Sequence, residues 1–295
     1  MSPNEQSVTK TSPSASAGQP RSSRGPGLAL LGSELRVLFG RRRTWAMLAA
    51  LAAIPVLIAV AVRLSDSPDA PGDGPTFLSD ITQNGLFVGL TALVFAVPLF
   101  LLTVGVVAGD TIAGEANLGT LRYLLVAPSG RVRLLLVKFA GAAAFCVAAT
   151  LVVVLVGAAI GAALFPVGPV TLISGDTVGV GGYALRAALF SAYVSISMLG
   201  LSAVGLFIST LTTVPVGAMA ATIVLSAVSQ ILDLLPQLSA IQPFLFSHYW
   251  LGFAELLRTP IDLTVFGQNA LLQLGYIAVF GTLAYGRFST KDILS

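Results

Sequence analysis

"GEANLGTLRYLLVAPSGRVRLLLVK", Gly114 to Lys138, is a charged stretch set between two long apolar runs. Glu115, Arg122, Arg131, Arg133 and Lys138 fall inside it, in a chain that otherwise spends few charges. Leu118, Leu121 and Leu125 follow helical spacing, so the first part predicts a short helix with Glu115, Gly119 and Arg122 on another face. Pro128 ends that helix, the Pro-Ser-Gly turn redirects the chain, and Ser129 is placed to cap the next helix. The expected product is a helix-turn-helix elbow, with Arg131 and Arg133 leading into the following apolar run.

Outward from this loop the chain is greasy. Of 295 residues 55% are hydrophobic and 10% are charged, and the mean hydropathy is +0.89. Soluble domains carry about 25% charged residues, so the composition calls for a bilayer. Six apolar runs are each long enough to span: about 44–62, 86–108, 134–164, 187–211, 216–235 and 265–285. Pro55 and Pro98 lie inside spans, where neighbouring helices satisfy the freed carbonyls. The expected fold is an all-α integral membrane protein with six transmembrane helices.

Orientation follows from the basic residues. On a six-span layout, 13 of the 16 Lys and Arg fall on one side: the region before the first run, the Gly114–Lys138 loop and the C-terminus. Only Arg63, Arg186 and Arg258 fall on the other. The positive-inside rule then makes both termini cytoplasmic. Residues 1–27 are rich in Ser, Pro and Gly and read as a disordered cytoplasmic tail with no cleavable signal. Residues 28–43 read as an amphipathic interface helix carrying Glu34, Arg36, Arg41, Arg42 and Arg43, whose arginines meet anionic headgroups. Residues 44–295 form the six-span domain, with a cytoplasmic loop at 109–138 and an outer segment at 236–264.

Several chemistries are excluded. The span centres hold no Asp, Glu, Lys, Arg or His, which argues against ion coupling. No G-x-x-x-x-G-K-[ST] motif occurs, so the chain binds no ATP by a P-loop. His248 and Cys146 are the only residues of their kinds, which gives no metal cluster and no intrachain disulfide. The positive charge sits beside apolar runs, as topology requires, and does not read as a nucleic-acid surface. No catalytic constellation is visible, and no enzyme activity or bound cofactor is expected of this chain. The small-residue stretches "GAAAFCVAAT" and "LVGAAIGAAL" fit either ordinary membrane-helix packing or a dimer seam.

The loop resembles the signature loop of ABC-2 type transporter permeases, through Glu115, Gly119, Thr120, Leu121, Leu124, Leu125, Pro128, Arg131 and Lys138. The lead-in "SELRVLFGRRRTW" is similar to that family's connecting helix. The resemblance implies a permease subunit in the plasma membrane, with the elbow as a coupling helix seated on a separate ATPase subunit. That subunit would use ATP and Mg, and a second permease chain, identical or different, would complete the pathway. Export is inherited from the same resemblance. It also implies re-entrant helices in "LLPQLSAIQPFLFSHYWLGFAELLRTPID", where Phe246, His248, Tyr249 and Trp250 are the outer gate candidates. An interfacial aromatic belt accounts for the same residues equally well. The alternatives to a permease are an ion-coupled secondary transporter and a non-transport membrane scaffold.

Overall fold

The computed structural model describes residues 26–65, 81–119, 130–171, 176–257 and 260–290. Over these the chain is nearly all helical. Helix α1 is Pro26–Gly40 and α2 is Arg42–Ser65. Then come α3, Phe87–Asn117, and α4, Arg131–Leu164. A two-residue antiparallel pair follows, β1 (Val170–Thr171) with β2 (Thr177–Val178). Helices α5, Val180–Leu211, and α6, Pro215–Asp233, complete the middle of the chain. Three short 3-10 turns, Pro236–Leu238, Gln242–Phe244 and Gly252–Leu257, lead to α7, Thr264–Thr290.

Five helices, α2 to α6, are long and apolar enough to cross a membrane. Helix α7 falls outside that set because its first half carries Gln268, Asn269 and Gln273. It nevertheless lies along α5 in the same direction. Asn269 bonds Ser197, a Cβ added to Gly200 would strike Gln273, and Phe280 packs on Phe207.

Contacts at the two ends show that the helices alternate in direction. The end of α3 meets the end of α5 and the start of α6, and the start of α4 meets the end of α7. At the opposite end, the start of α3 meets the end of α4 and the start of α5. The first end therefore collects Arg41, Arg43, Asp110, Glu115, Arg131 and Lys138, and is called the charged end below.

The α3–α4 seam answers the question posed by the small residues. Gly85 and Gly89 face Gly161 and Gly157. A Cβ on Gly161 would sit 1.9 Å from the Gly85 carbonyl oxygen, and one on Gly157 would sit 2.4 Å from the Gly89 Cα. Backbones this close leave room only for hydrogen, so "LVGAAIGAAL" serves packing within the chain. Beside the seam, Asn84 donates to the carbonyls of Gly168 and Pro169 and accepts from Leu86 N–H.

Four sequence expectations change. Helix α3 runs on through Asp110 and Glu115, so the loop is narrower than 109–138. Gly119, with φ +69°, ends that helix in the left-handed conformation instead of lying on the face of a second one. Arg42 and Arg43 belong to the first turn of α2, because the chain bends at Gly40–Arg41. At that bend Thr44 Oγ1 and the Trp45 indole donate to the carbonyls of Leu38 and Phe39, which α1 leaves without helical partners. Arg186, expected in an outer loop, lies in the second turn of α5 and is buried, because the helix starts ahead of the apolar run.

Candidate functional site

At the charged end, four helices meet through six ionised side chains. Lys138, in the second turn of α4, is buried. Its Nζ donates to both oxygens of Glu34 on α1, each at 2.9 Å, and to Glu115 near the end of α3. One ammonium therefore serves two carboxylates from two other helices. Beside it, Asp110 on α3 accepts from Arg41 at 2.9 Å and from Arg43 at the start of α2. Glu34, Arg41, Arg43, Asp110 and Lys138 line one small cleft of about 30 Å³.

The two halves differ in solvent exposure. The Lys138 side chain is 5% exposed, against 42% for Arg41 and 44% for Arg43. A buried ammonium needs its partners, since removing them leaves an uncompensated charge. The arginine pairs are worth little in water, about 0–1 kcal/mol each.

Below these charges the packing is apolar and polar by turns. Ile112, Leu134, Leu135, Leu206, Ala284 and Phe288 form a cluster joining α3, α4, α5 and α7. Ser209 of α5 is fully buried against α3. Its hydroxyl donates to Gly109 O at 2.7 Å and accepts from Ile112 N–H at 3.0 Å and Ala113 N–H at 2.8 Å. Arg131 donates to the terminal carbonyls of α7, those of Phe288 and Ser289.

Of the loop residues picked out by sequence, Glu115, Gly119, Arg131 and Lys138 are seen at this end. Thr120, Leu121, Arg122 and Pro128 lie outside the described residues, as do Leu124, Leu125, the Ser129 cap and the 1–25 part of the tail. Glu115 pairs within the chain, with Lys138. Of the interface-helix residues, Glu34 and Arg41 join the cluster with Arg43, while Arg36 and Arg42 are exposed. Glu34, Glu115 and Lys138 are far apart in sequence, so no local spacing announces that they meet.

At the opposite end the aromatic segment between α6 and α7 turns inward. Phe246 and Trp250 are buried. The Trp250 indole donates to Ser197 O at the middle of α5, at 3.1 Å. Gln273 donates to Phe246 O, and Tyr193 donates to Tyr249 O. Phe246 stands edge-on to both Trp250 and Tyr276, with ring centres 5.5 Å apart in each case. The segment thus packs between α5 and α7, with both of these rings buried. His248 Nδ1 pairs with Asp233 at the end of α6 at 2.6 Å. Asp262, ahead of α7, accepts from Thr264, and that hydrogen bond holds its carboxyl below the usual carboxylate range. Asn269 and Gln273 escaped the sequence reading because a search for ionisable residues passes over amides.

No group of His, Cys, Asp and Glu among the described residues has the arrangement to hold a metal. What the geometry defines is a helical, membrane-type protein with an ionic junction at one end and a buried aromatic cluster at the other. The chain belongs to the family described as "Protein of unknown function (DUF2705)", whose profile matches residues 57–294. No curated protein matches it.

Proposed function

We propose that the chain is the membrane-spanning permease subunit of an ABC-2 type transporter, an exporter driven by a separate ATPase. In this reading α7 is the sixth span, both termini face the cytoplasm of the plasma membrane, and the charged end is the cytoplasmic one. Two such chains, or this chain and a related one, enclose the pathway.

The observation that carries the reading is the Lys138 junction. The loop that resembles the ABC-2 signature leaves α3 just after Glu115 and enters α4 just before Lys138. Glu34 ties α1 to the same point. A force applied to the loop by a partner therefore reaches α1, α3 and α4 together, which is what coupling to ATP binding requires. The ionisable cluster lies near helix ends and not at span centres, which weighs against a proton- or ion-coupled carrier. No nucleotide is bound by this chain; ATP and Mg belong to the partner.

The test is purification of the tagged chain from its native membrane in a mild detergent. The expected result is co-purification of an ATPase subunit with a Walker A motif, in stoichiometric amount and with measurable ATP hydrolysis. A chain that emerges without any ATPase from membranes containing it in functional form overturns the proposal.

A further inference from the structure

An open apolar cavity lies beside the aromatic cluster, on the side away from α5. It is a groove of about 680 Å³ between α7 and the aromatic segment, floored by Leu272, Gly275, Tyr276 and Phe280. Pro243 and Phe244 form one wall. Polar groups of the lining, Gln268 and Tyr249, lie where α7 begins. Tyr276 donates its hydroxyl to Phe244 O at 2.8 Å and stacks on Phe280, so the floor is fixed. The space above Gly275 is open, since a Cβ there would meet nothing within 4 Å.

Shape, size and polarity choose the occupant. Clefts of about 300–1,000 Å³ with apolar walls and a few polar groups are the usual ligand sites. From Gln268 to Phe280 the helix rises roughly 18 Å at about 1.5 Å per residue. Half of a hydrocarbon core of about 30 Å is close to that depth. A polar mouth at one end and a purely apolar run one leaflet deep match a single acyl chain hanging from a headgroup.

We propose that this groove holds one acyl chain of a bilayer phospholipid, with the headgroup at the Gln268 and Tyr249 end. The bound chain fills the gap between the aromatic segment and α7, so the lipid is part of the wall that supports Phe244 and Tyr276. This reading requires only that α7 lies in the bilayer beside α5, and it stands whether or not an ATPase is the partner.

The test uses the full chain in phosphatidylethanolamine–phosphatidylglycerol vesicles doped with a phospholipid bearing a mid-chain diazirine. Illumination and peptide mapping are expected to place the label on the α7 segment 271–280. Native mass spectrometry is expected to retain one phospholipid per chain after extraction. Gly275→Trp and Gly275→Leu fill the slot and are expected to abolish both signals while the protein stays monodisperse. Leu155→Trp, on an exposed apolar face of α4, is expected to change neither. Labelling spread evenly over all exposed apolar faces, or a retained lipid in monodisperse Gly275→Trp, overturns the proposal. So does disulfide linkage of two chains through Gly275→Cys in a Cys146→Ala background, which would put a second copy in the groove.

Discussion

The two ends of this helical bundle are closed by opposite kinds of chemistry. At the charged end, helices are joined by side chains that reach: Lys138 to Glu34 and Glu115, Arg41 and Arg43 to Asp110. At the other end they are joined by the lack of side chains, through Gly85 and Gly89 against Gly161 and Gly157. Asn84 and the His248–Asp233 pair complete that end, and Asn269, Gln273 and the Trp250 indole add neutral hydrogen bonds from there toward the middle of α5. A long charged side chain can keep its partner through a shift of an ångström or more, whereas a backbone contact tolerates almost none. The junction near the loop therefore tolerates a small displacement better than the far seam does.

Four substitutions sharpen or break that contrast, from the largest effect to the smallest. Lys138→Met leaves Glu34 and Glu115 facing each other without their cation, and a broken buried ion pair costs about 3–5 kcal/mol. The midpoint of thermal unfolding in detergent is expected to fall more for this variant than for any other named here. An unchanged midpoint would show that the ammonium is not structural. Gly161→Leu forces the α3–α4 seam apart, and overpacking of this kind costs typically 1–3 kcal/mol. It should reduce the yield of monodisperse protein on size-exclusion chromatography; normal yield and stability would mean that the helices separate at no cost.

Trp250→Phe keeps the ring and deletes the donor to Ser197 O, a loss of about 0.5–1.5 kcal/mol. Hydrogen exchange of the 244–257 segment is expected to quicken while the rest of the bundle keeps its protection. Arg41→Ala removes a pair whose cation is largely exposed, worth about 0–1 kcal/mol, and the small difference should shrink further in high salt. If Arg41→Ala proved as damaging as Lys138→Met, the distinction between the buried and exposed halves of the junction would collapse.

What the sequence showed and what it hid follow the same division. Apolar runs mark helices because a bilayer imposes one requirement, length in hydrocarbon, and local composition meets it. Thus α2, α4 and α6 begin and end within a few residues of their expected bounds. Helix α3 overran its apolar run to Asn117, and α5 began ahead of its own, because a helix continues past hydrocarbon wherever its backbone bonds can. The partners of Lys138 were hidden because Glu34 comes 104 residues before it and Glu115 comes 23 before. Pairing at that range is a property of the packed bundle. Likewise, "LVGAAIGAAL" displayed its glycines plainly, but nothing local said that Gly85 and Gly89 were their counterparts. The prolines and aromatics of 236–264 signalled an irregular segment; only the packing shows that Trp250 points into the protein.

Ser209 carries a consequence for how force travels through the bundle. A hydroxyl has one proton to give and two lone pairs to fill, and here all three are engaged by α3, at Gly109 O and at the amides of Ile112 and Ala113. Gly109 O and Ala113 N–H are the two ends of one rung of a helical ladder, so a side chain of α5 is bonded to the backbone framework of α3 itself. Drawing these helices apart would leave the buried Ser209 hydroxyl without the three partners that now fill its hydrogen-bonding capacity. The last turns of α3 and α5 are therefore welded into a single lever. At that end α3 is therefore bound to α5 through Ser209 and to α1 and α4 through Lys138, so none of the four helices shifts there without straining another.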